Sequence, residues 1–124
     1  MESPERFEFK FFLNSAAHET FLGQLGHALS PDLQGGSAGV YPVVSLNYDT
    51  PDRRCYWEAW RKAPSRRKLR VRVYGSEDGR IAATSFIEVK HKVNGLGFKR
   101  RLQAELGDAL DLVEGRRAAA DLPL

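Results

Sequence analysis

Charged and apolar residues alternate along several stretches of this chain, and residues 66–74 show the pattern most clearly. The side chains of a β-strand point alternately to its two faces, so a period of two predicts a strand with one charged and one apolar face. Like charges on one face repel, which favours a face that lies in water or meets a polyanion. The two sets are Lys68, Arg70 and Arg72 on one side, and Leu69, Val71 and Val73 on the other.

Alternation, together with enrichment in β-branched and aromatic residues, predicts four further strands, at residues 5–13, 40–48, 84–92 and 98–103. Asp78-Gly79 and Asn94-Gly95 fall between strands and are typical hairpin turns. The strands predicted at residues 66–74, 84–92 and 98–103 should therefore form an antiparallel meander. In the first strand, one face is built of three phenylalanines: Phe7, Phe9 and Phe11.

Apolar residues at helical spacing predict three helices. The first follows an N-cap at Asn14 or Ser15 and continues through Leu29, a short one carries Trp57, and the last is capped by Gly115. Apolar strand faces need cover, and these helices can provide it. We therefore expect an α+β fold, an antiparallel sheet with flanking helices, in one domain that spans residues 1–124.

Composition narrows the class of protein. A chain of 124 residues with 42% hydrophobic content suits one soluble domain. It has no apolar run near the roughly 20 residues that span a bilayer and begins without a secretory signal, so we expect no transmembrane segment and a cytoplasmic location. The single cysteine, Cys55, excludes an internal disulfide and a cysteine-based metal cluster.

The net charge of +3 conceals an uneven distribution of charge. Residues 61–101 contain 13 Lys and Arg against three acids, whereas the rest of the chain contains 6 against 13. A basic segment of this kind is either a solvated face or an anion-binding surface.

Cationic faces recur in four predicted strands. If helices cover the apolar faces, a curved sheet would enclose a channel lined by Lys and Arg, which suits a polyphosphate or a nucleoside triphosphate. Glu8 and Glu88 either hold a divalent cation there or neutralise neighbouring cations, and the sequence leaves both open. The charged residues are Arg6, Glu8 and Lys10; Lys68, Arg70 and Arg72; Glu88, Lys90 and Lys92; Lys99 and Arg101.

These segments resemble the VTC domain of polyphosphate polymerases, within the triphosphate tunnel metalloenzyme or CYTH-like superfamily. They occur in the family's order and spacing and together cover about residues 5 to 115. The matching segments are Arg6 to Phe11, Ser45 to Asp52 with Tyr56, Arg67 to Tyr74, Ile87 to Lys90, Lys92 to Gly95, and Lys99 to Arg101.

The resemblance implies a triphosphate-tunnel β-barrel with helices on its outer face. In it a divalent metal, Mn²⁺ or Mg²⁺, assists phosphoryl transfer from ATP to inorganic polyphosphate. Glu8 matches a glutamate of the family's Glu-x-Glu-x-Lys motif, in which Arg6 stands in place of the first glutamate. The implied catalytic residues are Lys10, Arg70, Arg72 and Lys90. The implied phosphate-binding residues are Lys10, Lys68, Arg70, Arg72, Lys90, Lys99 and Arg101.

The resemblance extends over only the first half of such a domain, and Asn47 stands where an aromatic residue is usual. We therefore expect an incomplete domain, either a fragment of a longer enzyme or a half that self-associates or pairs with a missing C-terminal half through an open sheet edge. Whether such a chain is catalytically active stays open.

Two other functions remain: a non-catalytic module that binds polyphosphate or another polyanion, and a metal-dependent triphosphatase. Specific nucleic-acid binding is not expected. Its bases would stack on aromatic rings among the cations, whereas Phe7, Phe9 and Phe11 alternate with the charged residues and fall on the apolar face.

Overall fold

The computed structural model describes residues 9–26, 28–37, 39–76 and 78–121, apart from the side chain of Gln34. These residues have an α+β fold, as predicted, with a four-stranded antiparallel sheet. The helices are α1 (Ser15–Leu25), α2 (Arg54–Trp60) and α3 (Leu106–Val113). The strands are β1 (Val43–Tyr48), β2 (Ser65–Gly75), β3 (Ile81–Val93) and β4 (Leu96–Glu105). Short 3-10 turns occupy Leu33–Gly35 and Ala119–Asp121.

The sheet has the strand order β1-β2-β3-β4, and tight turns join its last three strands. Asn94 and Gly95 have φ angles of 48° and 90°, the positive values that a two-residue Asn-Gly hairpin favours. The predicted meander is therefore confirmed. Strands β3 and β4 are longer than predicted because their pairing continues up to this turn.

Helix α3 covers one face of the sheet and forms the core with it. Val71 of β2 and Ile87 of β3 are 3% and 8% exposed, and they pack with Ala109 of α3, which is fully buried. Removal of these apolar side chains from water holds helix and sheet together. Around them lie the partly buried side chains of Tyr48, Leu69, Ala104, Leu106, Leu110, Leu112 and Val113.

The turn between β1 and α2 is fixed by Asp49. Its carboxylate accepts hydrogen bonds from the backbone N–H groups of Thr50, Cys55 and Tyr56, at 2.8, 2.8 and 2.9 Å. The first N–H groups of a helix have no partner within the helix, so this carboxylate satisfies two of them. The predicted short helix is confirmed.

The predicted first strand is wrong for residues 9–13, which form no strand. Phe9 and Phe11 are 77% and 81% exposed. An alternating sequence becomes a strand only where a neighbouring strand accepts its hydrogen bonds, and these five residues lie outside the sheet. The remainder of the prediction, residues 5–8, lies outside the described residues.

Of the two predicted N-caps of helix α1, Asn14 is the one used: its side chain accepts from the backbone N–H of Ala17 at 2.8 Å, and the helix begins at Ser15. It ends at Leu25, short of the predicted Leu29, because Gly26 takes a φ of 48° and leaves the helical conformation. In the described part of the chain, every helix is too short or too polar to cross a membrane.

The sheet formed by the described residues is open. Strands β1 and β4 each pair with one neighbour, β2 and β3 respectively, and no pairing joins β1 to β4 within the described residues. A barrel requires that pairing, so the predicted tunnel barrel is not confirmed.

Candidate functional site

The sheet face turned away from α3 collects the cations of three adjacent strands. Residues opposite each other in an antiparallel pair point to the same side, and the register places Arg70 opposite Glu88 and Glu88 opposite Arg101. Alternation puts the other predicted cations of these strands on the same side. We call this surface the cationic face. Its cations are Arg66, Lys68, Arg70, Arg72, Lys90, Lys92, Lys99 and Arg101, and Glu88 lies among them.

Glu88 binds three of these cations, and its side chain is only 2% exposed. Its Oε2 accepts from Nε and Nη2 of Arg70, both at 2.5 Å. Its Oε1 accepts from Nζ of Lys99 at 2.8 Å and from Nη2 of Arg101 at 2.6 Å. One negative charge thus balances one of three positive charges and leaves a surplus at the surface.

The same contacts set the protonation state of Glu88. Burial by itself raises the pKa of this carboxyl, because a low dielectric disfavours the charged form. Hydrogen bonds from Lys99, Arg101 and Arg70 outweigh burial and lower the pKa from an ordinary value of 4.5 to about 2. Glu88 is therefore ionised at neutral and mildly acidic pH.

Arg101 is held by two aromatic residues of the same face as well as by Glu88. Its Cζ lies 4.2 Å from the centre of the Phe86 ring, within the range of a cation–π contact. Its Nη2 donates to the hydroxyl of Tyr74 at 2.8 Å, and the Tyr74 and Phe86 rings meet edge to face. The guanidinium is therefore fixed in orientation.

Arg72 connects the cationic face to β1. Its Nε donates to Oγ of Ser45 at 2.9 Å, and the register places these two residues opposite each other. The Ser45 hydroxyl is neutral, so it does not offset the positive charge of the Arg72 guanidinium as a carboxylate would. Arg72 is therefore a charged donor at the β1 side of this face.

Three lysines form a row across the sheet, because Lys68 lies opposite Lys90 and Lys90 opposite Lys99. Like charges directly opposite each other destabilise a strand pair. The Lys99 ammonium turns to Glu88, while Lys68 and Lys90 are exposed and form no ion pair with any described residue. A bound polyanion would relieve this repulsion.

The structure thus brings together most of the residues that the sequence singles out. Two predicted site residues, Lys10 and Glu8, are not part of this face as described. Lys10 lies in the exposed stretch before α1 and outside the sheet, and Glu8 lies outside the described residues. The predicted site residues that share the cationic face are Lys68, Arg70, Arg72, Glu88, Lys90, Lys99 and Arg101.

Glu88 does not fit the role of metal ligand that the sequence leaves open for it. Both of its oxygens accept hydrogen bonds from cations, and a divalent metal would have to displace them and sit against three positive charges. Groups of three or more His, Cys, Asp or Glu placed to hold a metal do not occur among the described residues. The sequence leaves two roles open for Glu88, metal ligand or neutraliser of neighbouring cations, and its contacts match the second.

Sequence reasoning missed Ser45, Tyr74 and Phe86, which support Arg72 and Arg101. The signal for two of them was present, since Tyr74 continues the alternation of Arg70 and Arg72, and Phe86 precedes Glu88 by two positions. Their partners lie on other strands, so the contacts themselves follow from register.

Comparison with known proteins gives one match. A family model described as the VTC domain matches residues 5–121, nearly the whole chain. Searches of the curated proteins and of the solved structures found no match.

Proposed function

Because the chain belongs to the VTC domain family, we propose that its cationic face binds triphosphate and inorganic polyphosphate. The observation that carries this proposal is the row of Lys68, Lys90 and Lys99, set opposite one another beside the guanidinium groups of Arg70 and Arg101. The family match supports a polyphosphate-related role, and the arrangement of the cationic face supports this choice of residues.

The chemistry of the face suits a phosphate chain. Each phosphate unit of such a chain carries negative oxygen atoms, which a guanidinium binds through two parallel N–H donors and an ammonium binds as a point charge. The face offers both kinds of group on neighbouring strands. A linear polyanion can therefore contact several of them at once, which raises affinity above that of a single phosphate.

A catalytic role extends this proposal to phosphoryl transfer from ATP to polyphosphate. Such transfer depends mainly on alignment of the phosphates and neutralisation of their charge, and Arg and Lys side chains do both. We assign this work to Arg70, Arg72 and Lys90, with Lys10 as a fourth phosphate ligand by family resemblance. Because both oxygens of Glu88 are bound to cations, a metal would need other residues as ligands.

The proposed site includes a second polypeptide segment. Within the described residues β1 and β4 are the edge strands of the sheet, and an edge strand offers backbone groups to another strand. We propose that a second copy of the chain pairs there and contributes to the phosphate site.

A non-catalytic module that binds polyphosphate is the second candidate. It is favoured by the contacts of Glu88, which leave this carboxylate engaged with three cations. Tight binding of phosphate chains without any product from ATP selects this candidate, whereas release of free phosphate alone selects a triphosphatase.

Binding of tripolyphosphate, measured by isothermal titration calorimetry at fixed ionic strength, tests the proposal. Arg72→Gln should weaken binding by about tenfold or more, because a charge-assisted hydrogen bond contributes roughly 1.5–3 kcal/mol. The matched control is Arg54→Gln on α2, whose exposed guanidinium pairs with Glu58. Equal losses in the two variants would mean that only the overall charge of the protein attracts the ligand.

A further inference from the structure

Glu88 lies beneath the cations that it binds. Its side chain is 2% exposed, whereas those of Arg70, Lys99 and Arg101 are 30%, 26% and 37% exposed. An anion that approaches from solvent therefore meets the cations first. The carboxylate is placed to act on a ligand only through them.

We propose that Glu88 is a positioning residue for anion binding, which fixes the donors of Arg70, Lys99 and Arg101 that a phosphate chain then contacts. This inference rests on the proposed function and goes beyond it by assigning a role to an acidic residue inside a site for anions. Glu88 is neither a metal ligand nor a competitor of the phosphate in this assignment.

The donors that remain after Glu88 is bound support this role. A guanidinium has five N–H donors in a rigid plane. Arg70 uses its Nε and Nη2 for Glu88, and Arg101 uses the same two nitrogens for Glu88 and the Tyr74 hydroxyl. Among the hydrogen bonds between described residues, none uses Nη1 of either arginine. One edge of each guanidinium is thus anchored while the other keeps donors for a ligand.

The balance of charge supports the same role. Three cations crowded together without a counter-ion would repel and spread into solvent, and binding would then have to order three long side chains. A single carboxylate holds them in one geometry and still leaves a net positive charge for the anion. Fixing donors before the ligand arrives lowers the entropic cost of binding.

Two other roles of Glu88 predict different outcomes. If Glu88 competed with phosphate for the cations, removing its charge would strengthen binding. If it acted only on the stability of the fold, a folded variant would bind as the wild type does. Only the positioning role predicts that the Glu88→Gln protein binds the anion more weakly although its net charge is more positive.

The test compares tripolyphosphate binding by the wild-type chain and by Glu88→Gln, using calorimetry at fixed ionic strength. We expect the affinity of Glu88→Gln to fall by about tenfold, since oriented charge-assisted donors are lost. Glu88→Asp keeps the charge and should recover part of the loss. Unchanged or tighter binding by a folded Glu88→Gln protein overturns the proposal.

Tyr74→Phe gives a second test that does not depend on how well Glu88→Gln folds. It removes one hydrogen bond to Arg101 and leaves every charge in place, so we expect affinity to fall about threefold. The matched control is Glu58→Gln on α2, which loses an ion pair with Arg54 away from this face and should bind as the wild type does. If Glu88→Gln does not fold, Glu88→Asp replaces it, because the shorter side chain keeps the charge but not the geometry, and binding equal to that of the wild type by a folded Glu88→Asp protein overturns the proposal.

The proposed function and this inference can fail separately. A wild-type chain that does not bind tripolyphosphate removes the proposed function, and the role of Glu88 with it. A wild-type chain that binds, together with variants that bind equally well, removes only the role of Glu88.

Discussion

A single residue, Glu88, determines how the charges of the cationic face are arranged. Its three partners come from β2 and β4, and Arg70 and Arg101 lie 18 and 13 positions away along the chain. Breaking a buried ion pair by removing one member leaves uncompensated charge and is strongly destabilising. Glu88 therefore contributes to stability as well as to the geometry of the site.

The low pKa of Glu88 predicts a specific dependence of stability on pH. A carboxyl whose pKa falls from 4.5 to about 2 on folding stabilises the protein fully above pH 4.5, and this contribution is lost as pH falls towards 2. The shift corresponds to about 3 kcal/mol. Between pH 5 and pH 2, the free energy of unfolding of the wild type should therefore fall by about that much more than that of Glu88→Gln.

Urea denaturation at a series of pH values measures this difference. The carboxyls of Asp49 and Asp78 also have lowered pKa values: at Asp49 backbone hydrogen bonds outweigh the opposing effect of burial, and Asp78 accepts from the Ser76 hydroxyl. Neither protein loses these hydrogen bonds, so their effect on stability cancels in the comparison.

At the level of elements, the position of α3 decides which face of the sheet is left for ligands. Ala109 is fully buried where the helix lies against Val71 and Ile87, and its small side chain lets the helix approach the sheet closely. Apolar spacing predicted this helix and the strands beneath it. Apolar spacing did not predict that α3 follows β4 without a loop or that Ala109 is fully buried between helix and sheet, since both depend on how the two elements meet.

Ala109→Leu should separate α3 from the sheet. A larger side chain at a fully packed position typically destabilises by about 1–3 kcal/mol, and thermal unfolding should show a lower Tm. Ala16→Leu, at an exposed position of α1, makes the same substitution without a packed neighbour and should leave the Tm nearly unchanged. Equal effects at the two positions would show that the core between α3 and the sheet is loosely packed.

In the molecule as a whole, the described residues form an open sheet with one covered and one charged face. The edge strand β1 exposes apolar side chains, with Val44 and Leu46 50% and 51% exposed. Exposed edges with apolar residues favour pairing with another chain. The proposed pairing would both satisfy these edges and enclose the cationic face.

Light scattering on the purified chain tests this pairing. We expect a mass above that of the 14.0 kDa monomer, increasing with protein concentration, and formation of polyphosphate from ATP only in the associated species. A monomer at all concentrations that still makes polyphosphate from ATP would contradict the proposal, because the face would then be complete within one chain.

The sequence by itself determined the strands β2 to β4, their turns and which residues share a face. These features depend on local properties: the two-residue period of a strand, the positive φ angles of Asn94 and Gly95, and the spacing of apolar residues. It also identified the cations of the candidate site, because the charged positions in these strands follow the same period.

Only the tertiary structure decided how those residues meet. The segment 9–13 has the alternation of a strand and forms none, because a strand also needs a neighbour with which to pair. The sequence left open whether Glu88 binds a metal or neutralises neighbouring cations. Register places it opposite both Arg70 and Arg101, and burial under those side chains commits its oxygens to them. The two-residue turn at Asn94-Gly95 sets the register of β3 with β4, whereas the pairing of β2 with β3, which shifts register between Val73 and Gly75, and the burial of Glu88 depend on how separate elements pack.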